Sequence, residues 1–135
     1  MTVRLCRPDE LSAVLDLWGG ARSSHAVTED TPERVLRVIE AGAVLVAELD
    51  GAIVGAVIAG FDGWRGNFYR LAVTPPFRRR GIAAALVAAG EERMRALGAP
   101  RVTALVAFED AGVRTFWGSV GYDADPVMGR MVRTL

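Results

Sequence analysis

Along the chain the spacing of apolar positions switches repeatedly between two and about 3.6 residues, and the switches fall at turn-forming residues. "TVRLC" (2–6) alternates and predicts a short strand. Pro8-Asp9-Glu10 opens a helix with Leu11, Val14, Leu15 and Trp18 on one face, and Gly19-Gly20 is expected to stop it. After the polar stretch "ARSSHAVTED" (21–30), Thr31-Pro32 reads as a helix cap followed by proline at the first helical position, and this second helix ends near Ala41-Gly42. "AVLVAEL" and "AIVGAVIAG" flank Asp50-Gly51, a pair that supplies the positive φ angles of a two-residue hairpin turn.

Beyond the loop "FDGWRG", the segment "NFYRLAVT" (67–74) predicts a strand that Pro75-Pro76 ends. A long helix follows from near Gly81 to Leu97, with Ile82, Leu86, Gly90, Met94 and Leu97 on its buried stripe and Gly98 and Pro100 as terminators. "RVTALVAF" (101–108) then predicts a strand parallel to the one before the helix, because a crossover of this length favours a right-handed βαβ unit. "EDAGVRTFWGSVGY" gives a shorter helix closing at Gly121, and the tail "PVMGRMVRTL" alternates enough for a last strand. No repeat or low-complexity linker interrupts this order. The expectation is one α+β domain over residues 1–135, with a mixed, mostly antiparallel central sheet flanked by helices and a β-α-β core.

Composition narrows the function. A chain of 135 residues is long enough for one core and too short for two ordinary domains. Lys+Arg 16 balances Asp+Glu 16, so no global field recruits nucleic acid or an anionic membrane. The single Cys6 excludes an internal disulfide framework and fits a reducing compartment, with the cytoplasm as the default, and one histidine leaves no plausible zinc or haem cluster. The amino terminus has no basic segment followed by an apolar core, and no apolar run approaches the roughly 18 to 20 residues of a membrane span.

In so neutral a chain, the arginine cluster of "TPPFRRRGIAAALV" (74–87) is a local device. It lies where a strand ends and a helix begins, where several backbone N–H groups lack partners and the helix dipole presents about half a positive charge. Gly81 lets a bulky ligand approach the backbone, small Ala83 keeps the first turn uncrowded, and Arg78, Arg79 and Arg80 add charge-assisted hydrogen bonds. Donors spread over about one turn suit a diphosphate better than a single carboxylate. A plainer alternative is a solvated helix entry with no ligand.

These residues resemble the acyl-CoA-binding signature of the GNAT family of N-acetyltransferases: Arg or Gln, two residues, Gly, one residue, Gly or Ala, met here by Arg78, Gly81 and Ala83. "LAVTPPFRRRGIAAALV" is similar to the family's strand, loop and helix as a unit, "GAPRVTALV" to its next strand, and "FWGSVGYD" to its helix end and Gly-aromatic turn. "VGAVIAGFDGWRGNFYRLAV" further resembles a small bacterial subgroup. The resemblance implies acetyl-CoA as co-substrate and no metal. Its pyrophosphate would be held by the N–H groups from Arg79 through Gly81 and Ile82 to Ala83, with Arg78 beside them. The strand containing Leu71, Ala72 and Val73 would diverge from Val102–Phe108, opening a wedge for the pantetheine arm, and an N–H near Val73 would stabilise the developing oxyanion. Such a preorganised donor is worth about 3 kcal/mol. The chemistry implied is direct attack of a neutral amine on the thioester.

The acid and base depart from the family pattern. The position of the family's tyrosine acid, four residues before the Gly-aromatic turn, is Trp117, whose indole N–H is no proton donor at neutral pH. The usual asparagine seven residues earlier is Asp110. Taking about 8.5 for a thiol, releasing an unprotonated thiolate at pH 7 costs only about 2 kcal/mol, so activity survives the loss. Tyr122 is the runner-up acid, with plain aromatic packing as its other reading. The position where some relatives carry a glutamate base aligns with Asn67, which takes no proton. Tyr69 lies on the same strand face and could orient a water that removes the amine proton, or simply pack. Glu109 is a rim carboxylate, and His25 a loop histidine in the region that commonly shapes the acceptor site.

A serine hydrolase lacks support, because Ser23, Ser24 and Ser119 show no G-x-S-x-G context. The serious competitor is a non-catalytic acyl-CoA-binding sensor or regulatory module, favoured by the missing tyrosine and glutamate. Glu29, Asp30 and Asp62, in loops expected to border the acceptor side, favour a cationic amine. The acceptor's identity, the acyl chain length and homodimerisation stay open.

Overall fold

The computed structural model describes residues 1–21 and 28–135, and the chain divides into two compact units, Met1–Leu105 and Val106–Leu135. The first holds β1 (Thr2–Leu5), α1 (Leu11–Ala21), α2 (Pro32–Glu40), β2 (Val44–Leu49), β3 (Ala52–Phe61), β4 (Gly66–Val73), α3 (Ile82–Ala96) and β5 (Val102–Ala104). The second holds α4 (Ala111–Ser119). The five strands form one sheet in the order β1-β2-β3-β4-β5, antiparallel except for the β4–β5 pair. The mixed, mostly antiparallel sheet and its β4-α3-β5 crossover are therefore as the sequence predicts.

The local chemistry is legible in several elements. Thr31 caps α2, its hydroxyl accepting from Arg34 N at 3.3 Å with Pro32 in the first turn. Asp50 and Gly51 adopt φ 51° and 78° and close the β2–β3 hairpin. The helices cover both faces of the sheet. Val14, Leu17 and Trp18 of α1 and Val35 and Ile39 of α2 pack with Val44, Val46 and Ala56 on one face. On the other face Ile82, Leu86, Val87, Gly90 and Met94 of α3 are buried. Gly90 makes that approach possible, since a Cβ there would lie 2.3 Å from Phe68 Cε1.

Four expectations need correction. Gly19-Gly20 does not stop α1, which runs through both glycines to Ala21. Glycine costs a helix only about 1 kcal/mol, and the buried Val14, Leu17 and Trp18 hold this one against the core. Leu97 is half exposed rather than buried, because α3 ends at Ala96 and the stripe runs off its end. The strand expected over 101–108 is only Val102–Ala104. The tail forms no strand: Asp125 Oδ1 accepts from Val127 N and Met128 N, making a turn where pairing would start, and Met131, Val132 and Leu135 are exposed.

Candidate active site

The junction between β4 and α3 is built from short-range bonds. Thr74 N donates to Val54 O at 2.9 Å, tying the end of β4 to β3, and Pro75–Phe77 then makes one 3-10 turn. Arg78 is extended, Arg79 turns left-handed at φ 62°, and Gly81 is left-handed again at φ 80°. The first bond into α3 runs from Ala85 N to Gly81 O at 3.0 Å. The four amides from Gly81 through Ile82 and Ala83 to Ala84 are thus left without helical partners at the positive end of a 15-residue helix.

The three arginines are exposed, and two of them are placed by the protein. Arg78 Nε donates to Val73 O at 3.0 Å, while the Arg80 guanidinium lies 5.2 Å from the Phe77 ring centroid. The Ile82 side chain is buried, so this residue offers a ligand its N–H alone. Nothing among the described residues lies within 4 Å of where a Gly81 Cβ would sit. The left-handed backbone favours glycine here, and the space above it is open.

β4 carries a bulge. Ala56 pairs with Ala72 and Ile58 with Tyr69, so Arg70 and Leu71 together oppose Val57, and Arg70 sits at φ 55°. An L-residue in that region costs about 1–2 kcal/mol. The parallel ladder joins Gly66–Phe68 to Val102–Ala104 and finishes with Leu105 N to Phe68 O at 3.3 Å. It stops where β4 begins to turn at the bulge, leaving Tyr69 to Val73 unpaired on the β5 side. Within this stretch Val73 is buried, Leu71 and Ala72 are half-buried, and Ala72 packs against the α1–α2 core.

Asn67 and Tyr69 share a face, opposite Gly60 and Ile58 of β3, and Tyr69 is 42% exposed. Of the acidic residues expected at the acceptor side, Asp30 is held by Arg70 Nε at 2.8 Å. Asp62 accepts from Trp64 N and Arg65 N, at 2.8 and 2.9 Å, and these bonds, Arg65's foremost, hold its carboxyl below the ordinary range. Glu29 is exposed. Two of the three carboxylates therefore have partners within the protein, an arginine for Asp30 and two backbone amides for Asp62. A cavity of about 460 Å³ lies between α1 and the start of α2, lined by Leu15, Gly19, Glu29, Asp30, Thr31 and Pro32. Ser23, Ser24 and His25 lie outside the described residues, and among those described no cluster of His, Cys, Asp or Glu could hold a metal ion.

In the second unit Asp110 caps α4, its carboxylate accepting from Val113 N at 3.1 Å, and Glu109 is exposed. Asp110 thus has a local task that explains an acidic residue there without a ligand. Trp117 is buried, with edge-on contacts to Phe116 at 5.5 Å and Tyr122 at 4.9 Å. Tyr122 N closes the helix end on Trp117 O at 3.0 Å, and Gly121 between them takes φ 93°. The Tyr122 ring therefore has the packing partner that its plainer reading calls for.

Sequence reasoning missed Arg70. Its one signal is a charge inside the apolar run "NFYRLAV", where strand alternation alone would turn it toward the face that α3 covers.

A parallel strand pair whose ladder ends at Phe68, with an arginine-flanked helix entry between the two strands in sequence, is the arrangement expected of an acyl-CoA-dependent transferase. The chain belongs to the acetyltransferase (GNAT) family, whose model matches residues 11–122, and it is an N-acetyltransferase of that family. It is 36% identical over 126 residues to an acetyltransferase of Pectobacterium atrosepticum, covering 91% of this chain and 88% of the relative. An acetyltransferase of Sodalis glossinidius is 32% identical over 126 residues, at 91% and 87% coverage. The fold matches that of an aminoglycoside acetyltransferase from an uncultured soil metagenomic sample, solved with sisomicin, at a TM-score of 0.79 and 18% identity over 99% of this chain and 95% of the other. The fold class and family expected from the sequence are both upheld.

Proposed function

We propose that the protein transfers an acetyl group from acetyl-CoA to a primary amine by direct attack within a ternary complex, and that residues 1–135 act as one catalytic domain. The observation that carries this reading is the β4–α3 junction: open amides from Gly81 to Ala84, a left-handed glycine with empty space above it, and arginines fixed beside them. The diphosphate of acetyl-CoA would sit on these amides and on Arg78, Arg79 and Arg80. Its pantetheine arm would run along Leu71, Ala72 and Val73, whose β5-side edge lacks a strand partner. The amine nitrogen attacks the thioester carbonyl carbon, the C–S bond breaks, and CoA leaves as thiolate while the new amide nitrogen loses a proton. An N–H near Val73 would meet the oxyanion. Tyr69, on an exposed position of β4, would order the water that takes the amine proton, and Tyr122 is the candidate proton donor to the thiolate. Relatives with bacterial sources support a bacterial enzyme, and the lone Cys6 fits a cytoplasmic one; among the described residues no helix is long and apolar enough to cross a membrane.

An aminoglycoside is one acceptor to include, since the structural neighbour named above is an aminoglycoside acetyltransferase. The test is CoA-thiol release from acetyl-CoA with a panel of primary amines: an aminoglycoside, spermidine and a peptide with a free amino terminus. Release that depends on one amine, with the acetylated product found by mass spectrometry, is expected. Saturable acetyl-CoA binding with no amine-dependent release across the panel would favour the acyl-CoA-binding module instead.

A further inference from the structure

Arg70 is a charged residue in a backbone conformation that disfavours it, at φ 55° in the middle of a strand. Residue 68 of β4 faces α3, and regular alternation would send residue 70 the same way. The left-handed bulge turns it instead. Its guanidinium reaches the segment leading into α2, where Nε donates to Asp30 Oδ1 at 2.8 Å and Nη2 donates to Thr28 O. Both members of the ion pair are mostly withdrawn from solvent, the side chains 20% and 17% exposed, so water screens the pair less than it would a surface pair. Asp30 also lines the cavity beside α1, together with Glu29, Thr31 and Pro32. The same bulge immediately precedes Leu71, Ala72 and Val73.

We propose that Arg70 is a positioning residue for the amine acceptor: the bulged, left-handed backbone aims its guanidinium at Asp30 and Thr28, which fixes the 28–32 segment as the wall of the acceptor cavity at a set distance from the acyl-binding stretch of β4. This rests on the acetyltransferase reading above. Outliers of this kind persist where the surrounding structure requires them, and here the requirement is delivery of one fork-shaped cation across the sheet. An arginine supplies two separated donors for two acceptors, which a lysine cannot match.

The experiment uses Arg70→Gly and Arg70→Lys in the full chain. Glycine is at ease at φ 55°, so Arg70→Gly removes the guanidinium without disturbing the bulge. Amide hydrogen exchange at Arg34 and Val35, whose N–H groups bond Thr31 in the anchored segment, is expected to quicken by about tenfold or more, while β4 and α3 keep their protection. With the amine that gives turnover in the panel above, the amine KM is expected to rise about tenfold with a smaller change in kcat, and acetyl-CoA affinity to stay within about twofold. Arg70→Lys should fall between the two, since it keeps the charge and loses the fork. Unchanged exchange at Arg34 and Val35 overturns the anchoring. Faster exchange with an unchanged amine KM overturns the acceptor role. Joint loss of acetyl-CoA affinity, amine KM and melting temperature overturns positioning in favour of general structural support. If the unaltered protein binds acetyl-CoA yet turns over no amine, the transfer reading fails first, a result visible without any Arg70 variant, and the proposal falls with it.

Discussion

Gly81→Ala separates the two demands that meet at the start of α3. The residue adopts φ 80°, where an L-residue costs about 1–2 kcal/mol. Among the described residues the new methyl meets nothing within 4 Å, so conformational strain is taken as the cost to the fold. For 135 residues the unfolding entropy is about 0.3 kcal/mol per degree, which converts that strain to a fall in Tm of about 4–7 °C. Saturating ligand works in the other direction: acetyl-CoA at about 100 times its Kd should stabilise the unaltered protein by about 2.7 kcal/mol, or roughly 9 °C. In Gly81→Ala the methyl occupies the space that a phosphate needs to reach the amides of residues 81–84. The thermal upshift should therefore shrink to less than half.

Gly90→Ala is the control. Its methyl would lie 2.3 Å from the ring of Phe68, which is only 1% exposed and has no room to yield. Overpacking of this kind costs about 1–3 kcal/mol, so the variant should melt lower by a similar amount yet keep its full upshift. Differential scanning fluorimetry with and without acetyl-CoA reads both variants. A full upshift in Gly81→Ala, or a lost one in Gly90→Ala, would refute the assignment of the diphosphate to this turn.

Arg78→Ala with Arg80→Ala should weaken acetyl-CoA binding by about tenfold or more by titration calorimetry; because Arg78 Nε also bonds Val73 O, Tm should drop by a few degrees, and unchanged affinity would place the phosphates elsewhere. Trp117→Tyr restores the family's acid and should raise turnover, by up to about 10²–10⁴ if thiolate departure limits the rate; loss of turnover in Tyr122→Phe with no gain in Trp117→Tyr would make Tyr122 the acid. Arg4, donating to Glu10 at 2.8 and 2.7 Å, holds that carboxyl below its ordinary 4.5, at about 2. A depressed carboxyl stabilises the fold fully above its unfolded value, and the contribution is lost as pH falls from about 4.5 to 2. Stability should fall by up to about 3 kcal/mol over that range, and Glu10→Gln should flatten the profile; equal slopes in both proteins would sink the assignment.

What was legible in the sequence is what short-range chemistry decides. Asp50-Gly51 and Thr31-Pro32 each specify a backbone conformation through their own side chains or lack of them, and each adopts it. What was not legible depends on partners distant in sequence. The bulge at Arg70 shifts the register by one residue, a change that leaves the apolar pattern of β4 nearly intact. Gly19-Gly20 stays helical because burial of its neighbours outweighs a local preference. The tail alternates like a strand, but Asp125 turns the chain before any ladder can form. Asp110 and Asp30 illustrate the same limit for the site: a carboxylate's type can be read from sequence, whereas the groups that engage it cannot.

The arginine cluster shows why local chemistry and site chemistry coincide at the β4–α3 junction. Cations at a helix amino terminus are unfavourable by about 0.3–1 kcal/mol each, so three in succession need compensation. The protein supplies part of it without any ligand: a strand-end carbonyl for Arg78 and the face of an aromatic ring for Arg80. The Arg78 bond uses Nε and does not engage the two terminal guanidinium nitrogens. Holding a cation this way lowers the entropy lost when an anion arrives. On the proposed reading, a bound diphosphate would relieve the residual repulsion among the three charges. That relief would then add to the affinity for the diphosphate.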